Sequence, residues 1–127
     1  MTVHNNAIAR FDLTGKVAWV PGGAGLLGTA VSRALAEHGA HVIVADLRAE
    51  AAEAVAEALV ADGYSAEGRA LDIGDEAMVK SEVDTIVAQH GHLDLMINMT
   101  FYYTKASMEN MTAEQWEAGM RVSLTGA

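Results

Sequence analysis

The strongest constraint on this chain is a change of texture in Val17-Ala-Trp-Val-Pro-Gly-Gly-Ala-Gly-Leu-Leu-Gly28. An apolar run there breaks into clustered glycines and resumes as a helical pattern from Leu26. Such a stretch reads as strand, tight turn and helix. Gly23, Gly25 and Gly28 fall in the spacing G-x-G-x-x-G. The first glycine of that pattern serves the tight turn, the second lets backbone approach a pyrophosphate, and the third lets the helix pack close to the strand. The anion would sit on the helix N-terminus, where unpaired N–H groups and the dipole favour negative charge. A second apolar run, His41-Val-Ile-Val-Ala45, ends at Asp46, close to the spacing expected of a carboxylate that accepts from a ribose. The competing reading is an ordinary strand-to-helix turn that uses glycine for packing. The agreement of strand, helix and acidic residue argues against it.

The remainder repeats the same strand-then-helix unit. Val17 to Val20 is the first strand, and Leu27, Ala30, Val31, Ala34 and Leu35 form a helical stripe that ends at His38-Gly39. Val42 to Ala45 is the second strand, followed by an Ala- and Glu-rich helix with Ala52, Val55, Ala56 and Leu59 inward, closed at Asp62-Gly63. A weaker strand around Ala66 to Leu71 leads to a helix opened near Asp75, with Val79, Val83, Ile86 and Val87 inward. Leu93 to Asn98 is a fourth strand, nearly all apolar, as expected where both faces of a parallel sheet are covered. Thr112-Ala-Glu-Gln115 is a capping box opening a last helix. Alternation of this kind implies an α/β fold with a doubly wound parallel sheet, strand order 3-2-1-4, and a ligand crevice between strands 1 and 4 where the order reverses.

Composition narrows the partners. A formal charge of -9 argues against a nucleic-acid surface, which needs clustered Lys and Arg. The absence of Cys excludes a disulfide framework and thiolate metal sites. Met1 to Arg10 shows no signal-peptide pattern and no apolar run is long enough to cross a bilayer, so the expectation is a cytoplasmic chain without membrane contact.

Several segments together resemble the opening of a short-chain dehydrogenase/reductase: Phe11-Asp-Leu-Thr-Gly-Lys-Val17, Gly22-Gly-Ala-Gly-Leu-Leu-Gly28, Arg33-Ala-Leu-Ala-Glu-His-Gly-Ala40, Asp46, Leu71-Asp72, Leu93-Asp-Leu-Met-Ile-Asn98 and Val122-Ser-Leu-Thr-Gly126. The resemblance implies a Rossmann-type domain over residues 1–127, truncated at its C-terminal side, because the catalytic Ser and Tyr-x-x-x-Lys of the family lie beyond the point matching Ala127. It implies a cofactor-binding set of Gly22, Gly23, Gly25, Leu26, Leu27 and Gly28 in the turn, Asp46 and Leu47 after strand 2, Asp72 and Ile73 after strand 3, and Asn98 after strand 4. It also implies a nicotinamide dinucleotide as partner, with NAD favoured over NADP by Asp46, and hydride transfer to or from an alcohol or carbonyl substrate in a complete parent. Members often pair through the helix begun at Thr112, which leaves a homo-oligomer open. The chain departs from the family pattern at Pro21, Met99, Phe101 and Ser123, where Thr, Asn, Gly and Asn are usual.

Each candidate has a plainer alternative. Asp46 reads as a ribose ligand or a helix N-cap, and Asp72 as an adenine contact or a turn carboxylate. Arg48 could meet a 2′-phosphate but reads as a solvated helix-start residue. Tyr102 and Tyr103 lie near Lys105, yet neither stands four residues before it, so no catalytic residue is assigned and the segment reads as a pocket wall. His4, His38, His41, His90 and His92 show no metal-ligand spacing and read as surface residues, with no metal expected. The methionines read as packing residues. The chain by itself is expected to be inactive. The alternatives are a non-catalytic dinucleotide-binding or interaction module and, less in keeping with the family-like flanks, a methyltransferase of similar fold.

Overall fold

The structure, a computed structural model, describes residues 10–127; His4 and the rest of the N-terminal segment lie outside the described residues. The strands are β1 (Val17–Pro21), β2 (His41–Asp46), β3 (Ala66–Ala70) and β4 (Leu95–Met96). The helices are α1 (Leu26–Glu37), α2 (Ala49–Ala61), α3 (Glu76–His90) and α4 (Ala113–Met120), the last running on into a wide turn over Arg121–Thr125. All strand pairs are parallel and the order is β3-β2-β1-β4, as the alternation of elements predicts.

The period-2 alternation of strands sorts their side chains onto two faces. Ala18, Val20, Val42 and Val44 pack with Ala36 of α1 and Ala52, Ala56 and Leu59 of α2. Val17, Trp19, Ile43 and Ala45 pack on the other face with Ile86 of α3. Burial on both faces explains why β1 and β2 are apolar throughout: every residue from Val17 to Pro21 is buried, as are Val42 to Ala45. Truncating Ile43, which is fully buried, would cost ~2–5 kcal/mol in lost transfer energy and cavity formation.

Local chemistry sets the helix ends. Asp75 caps α3 by accepting from the Met78 amide, and Thr112 and Gln115 form the reciprocal capping box of α4. Gly39, Gly63 and Gly91 follow the first three helices with positive φ, where a side chain would be strained. β4 is shorter than the apolar run suggests, with two residues in the ladder, although the amides of Asp94 and Met99 still donate to Val17 and Pro21 on either side of it. Asp94 anchors this edge: its carboxylate accepts from the Val17 amide at 2.8 Å and meets Lys16 at 3.1 Å. The Val17 hydrogen bond, with Lys16 and His92 nearby, holds this carboxyl below its ordinary range.

The stripe expected on α1 is rotated. Gly28, Ser32 and Ala36 are its buried residues, with Val31 and Leu35 partly buried, whereas Leu27, Ala30 and Ala34 are exposed. Small side chains at i, i+4 and i+8 let the helix approach the sheet closely, so proximity and not hydrophobicity chose the inward face. On α3, Val79, Val83 and Ile86 turn inward as the periodicity suggests, while Val87 is exposed.

Candidate functional site

A cleft of about 310 Å³ opens where the chain leaves the C-terminal ends of the strands. Its lining comes from the β1–α1 turn (Gly22, Gly25), the end of β2 (Asp46, Leu47, Arg48), the exit of β3 (Leu71, Asp72, Ile73), the segment after β4 (Met99 to Tyr103) and Val122. This is the crevice outside the carboxyl ends of a parallel sheet, at the point where strand order reverses.

The glycine turn divides its labour differently from the simple pattern. The left-handed residue is Gly22, with φ of 75°, and a Cβ there would stand 2.7 Å from the Met99 backbone that crosses beside it. Gly23 is buried beneath the turn, where a Cβ would meet the Val20 carbonyl at 2.7 Å. Gly28 is required by helix packing: its Cβ would fall 2.1 Å from the Gly22 carbonyl oxygen. Gly25 is different, because a Cβ there would meet only the Gly22 oxygen, at 3.3 Å. The protein's own atoms scarcely demand glycine at this position, which borders the cleft.

Gly25 is also the N-cap of α1, so it has no side chain to offer the first-turn amides, and no acidic residue stands in that turn. Of the four α-helices described, α1 alone has neither a side-chain cap nor an acid in its first turn. An anion-seeking helix end therefore borders the cleft. Leu26 and Leu27 begin this helix exposed to solvent.

Asp46 ends β2 with a nearly buried side chain, 12% exposed. It is not a helix cap: Arg48 holds the N-cap position of α2, and Asp46 Oδ1 accepts from the Arg48 amide at 3.1 Å and lies 3.4 Å from its Nε. The Arg48 guanidinium thus leans on Asp46 from the solvent side of the same cleft. Asp72 Oδ1 accepts from the Gly74 amide, and Oδ2 lies 3.4 Å from Arg121 Nη1. Asn98 is not among the residues lining the cleft. Its side-chain oxygen accepts from the Thr100 amide and hydroxyl, a turn that carries Met99 past Gly22. Phe101, Tyr102 and Tyr103 form one wall, and the Tyr102 amide donates to Ser123 Oγ at 3.0 Å, tying that wall to the turn after α4. Among the described residues no hydrogen bond links Lys105 to either tyrosine. Arg48, read from the sequence as a solvated helix-start residue, lines the cleft, and Thr100 and Val122 join it although no role was assigned to them from the sequence. The last comes from the turn after α4, and its segment Val122-Ser-Leu-Thr-Gly126 was legible as family-like but not as part of the cleft.

A model of the short chain dehydrogenase family matches residues 16–127. The chain belongs to the short-chain dehydrogenase family. It is 35% identical over 116 residues to a D-threitol dehydrogenase of Mycolicibacterium smegmatis, covering 91% of this chain and 45% of that protein. It is 32% identical to a 2,3-dihydro-2,3-dihydroxybenzoate dehydrogenase of Bacillus subtilis, covering 90% and 44%. A crystal structure of a gluconate 5-dehydrogenase from Burkholderia cenocepacia J2315 in complex with NADP and tartrate superimposes with a TM-score of 0.85 at 30% identity, covering 94% of this chain and 47% of that one. This short-chain dehydrogenase segment therefore spans about half the length of the relatives it matches. The family binds nicotinamide dinucleotides, and no helix among the described residues is long and apolar enough to cross a membrane.

One group of residues departs from its sequence reading. His38 and His92 are exposed, but His41 and His90 are not free surface residues. They are partly buried, with ring centroids 4.6 Å apart, beside the carboxylate of Glu67. The two histidines lie on different elements far apart in sequence, and only the packing of α3 against β2 and β3 brings them together.

Proposed function

We propose that this chain is the dinucleotide-binding part of a dehydrogenase, that it prefers NAD to NADP, and that it serves hydride transfer with an alcohol or carbonyl substrate in a longer cytoplasmic protein. The observation that carries this reading is the α1 N-terminus, which lacks both a side-chain cap and an acid and shares one cleft with Gly25 and Asp46. In this reading Gly22 and Gly25 let backbone reach the pyrophosphate, while Gly23 and Gly28 hold turn and helix together. The Leu26 and Leu27 amides face the phosphates, and Asp46 accepts from the adenosine ribose hydroxyls with Leu47 beside it. Asp72 and Ile73 border the adenine, and Asn98 shapes the backbone toward the nicotinamide side. The dinucleotide, when bound, supplies the carbon that gives or takes hydride; the protein supplies orientation and electrostatics.

The domain is read as a single unit over 1–127 that is continued in the complete protein, as the half-length match to its relatives supports. No Tyr-x-x-x-Lys occurs in these 127 residues, so the chain alone is read as a binder without turnover. The test is an NADH titration followed by nicotinamide fluorescence. The original chain should bind saturably, and Gly25→Val should lose binding while keeping its far-UV circular dichroism. Unchanged affinity in Gly25→Val would refute the phosphate site.

A further inference from the structure

At the opposite end of the sheet from the cleft, three elements bring ligand-type atoms together. His41 opens β2, Glu67 is in β3, and His90 ends α3. His90 Nε2 lies 3.0 Å and His41 Nε2 3.6 Å from Glu67 Oε1, and the three ligand atoms all lie within 4.8 Å of one another. Two bonds of ~2.1 Å at a tetrahedral angle put ligand atoms about 3.4 Å apart, so the three are nearly spaced for one small cation.

One ligand-type atom of the cluster has no partner of its own. His41 Nδ1 is 2.6 Å from Ser65 Oγ, which fixes the ring and leaves Nε2 turned toward Glu67. That Nε2 is buried without a hydrogen-bond partner, and so is Glu82 Oε1 nearby, 3.3 Å from Arg69 Nη1. Where His41 keeps its proton on Nδ1 for Ser65, its Nε2 lone pair faces a carboxylate oxygen, a repulsive arrangement that a cation between them would reverse. Arg69 contacts Glu67 at 2.8 Å but is also held by Glu82 and Gln89, so it has other partners if the Glu67 oxygen turns to a metal. With neutral imidazoles, Glu67, Glu82 and Arg69 leave a net charge of about -1.

We propose that His41, Glu67 and His90 form a divalent transition-metal site of the zinc class. Two imidazoles and one carboxylate suit zinc and leave the fourth position for water. Ser65 is the outer partner that orients His41, in the manner usual for metal-binding histidines. The site lies about 16 Å from Asp46, the length of β2, and is independent of the cofactor reading. Its role is structural: it clamps the C-terminal end of α3 to the edge strand β3 and its inner neighbour β2.

The experiment uses the chain stripped with a chelator and titrated with Co²⁺, followed by visible d–d absorption, then with Zn²⁺ by competition, with thermal unfolding in parallel. One equivalent per chain, a tetrahedral Co²⁺ spectrum and a raised Tm with Zn²⁺ are expected. His41→Gln and His90→Gln should each weaken binding by at least ~100-fold, and Ser65→Ala by ~10-fold. His38→Gln/His92→Gln, which removes the two exposed histidines among the described residues, should bind as the original does. His90 ends its helix, so His90→Gln tests the site even if His41→Gln does not fold. No saturable binding, undiminished binding in His90→Gln, or loss in the His38/His92 variant would overturn the proposal. A pH-dependent Tm without any Zn²⁺ effect would do so too, leaving a protonated histidine pair in place of a metal site.

Discussion

Replacing Asp46 should change which dinucleotide this chain prefers, and the structure bounds the size of the effect. The 2′-phosphate of NADP would stand where the ribose hydroxyl of NAD meets the carboxylate. A like-charge pair near 4 Å costs ~1 kcal/mol in water and ~4 kcal/mol at an effective dielectric of 20. Asp46 is only 12% exposed, which moves its interaction away from the water limit. Arg48 opposes it: its Nε is 3.4 Å from Asp46 Oδ1, but the side chain is 69% exposed, so its attraction for the phosphate stays close to ~1 kcal/mol. The net preference for NAD is then ~1–3 kcal/mol, about fivefold to a hundredfold in affinity. Asp46→Ala should reduce the NADH:NADPH affinity ratio by at least ~5-fold, and Arg48→Ala should raise it by about the same factor. The assay is a pair of calorimetric titrations, NADH and NADPH, on the three proteins. A ratio near one in the original chain, or a ratio that neither substitution moves, would refute the argument and leave Asp46 as a turn residue that merely orders the Arg48 amide.

Other substitutions separate packing from binding. Gly28→Ala drives a Cβ into the Gly22 carbonyl and should destabilise the fold by ~1–3 kcal/mol or more in urea unfolding, whereas Gly25→Val should leave stability within about 1 kcal/mol and remove NADH binding. With NAD and a panel of alcohols the chain should form no NADH above buffer; turnover that is lost in a Tyr102→Phe/Tyr103→Phe variant would show that these tyrosines act as catalysts after all. Because the Asp94 carboxyl is held below its ordinary value near ~3.9, its contribution to stability is complete above that pH and disappears as the pH falls through the lower folded-state value. The stability gap between the original chain and Asp94→Asn should therefore be constant at neutral pH and close in acid. A gap that persists unchanged to strongly acidic pH would rule out an electrostatic role for Asp94. Thr112→Ala removes one half of the α4 capping box and should cost ~1 kcal/mol, read from the same unfolding curves.

The order of elements, the parallel sheet and the glycine turn were written in the sequence because each rests on local chemistry. Val17 to Val20 and Val42 to Ala45 are apolar without alternation because both of their faces are covered, and caps such as Asp75, Thr112 and Gly91 act within one turn of their own helix. The resemblance to a known family rested on those same short segments. What lay beyond the sequence depends on contacts between elements. Helical periodicity could mark an apolar stripe on α1, but the distance between helix and sheet decided that Gly28, Ser32 and Ala36 would face inward. Arg48 was visible beside Asp46, yet only the fold showed that its guanidinium shares the cleft and opposes the charge that selects the cofactor. Likewise, Glu67 faces α3 because the register pairs it with Ile43, and α3 has the length and direction to set His90 against His41. A one-residue slip in that register would turn Glu67 to the other face and disperse the cluster. Register and helix-to-sheet distance belong to the assembled sheet, which is why no reading of adjacent residues could supply them.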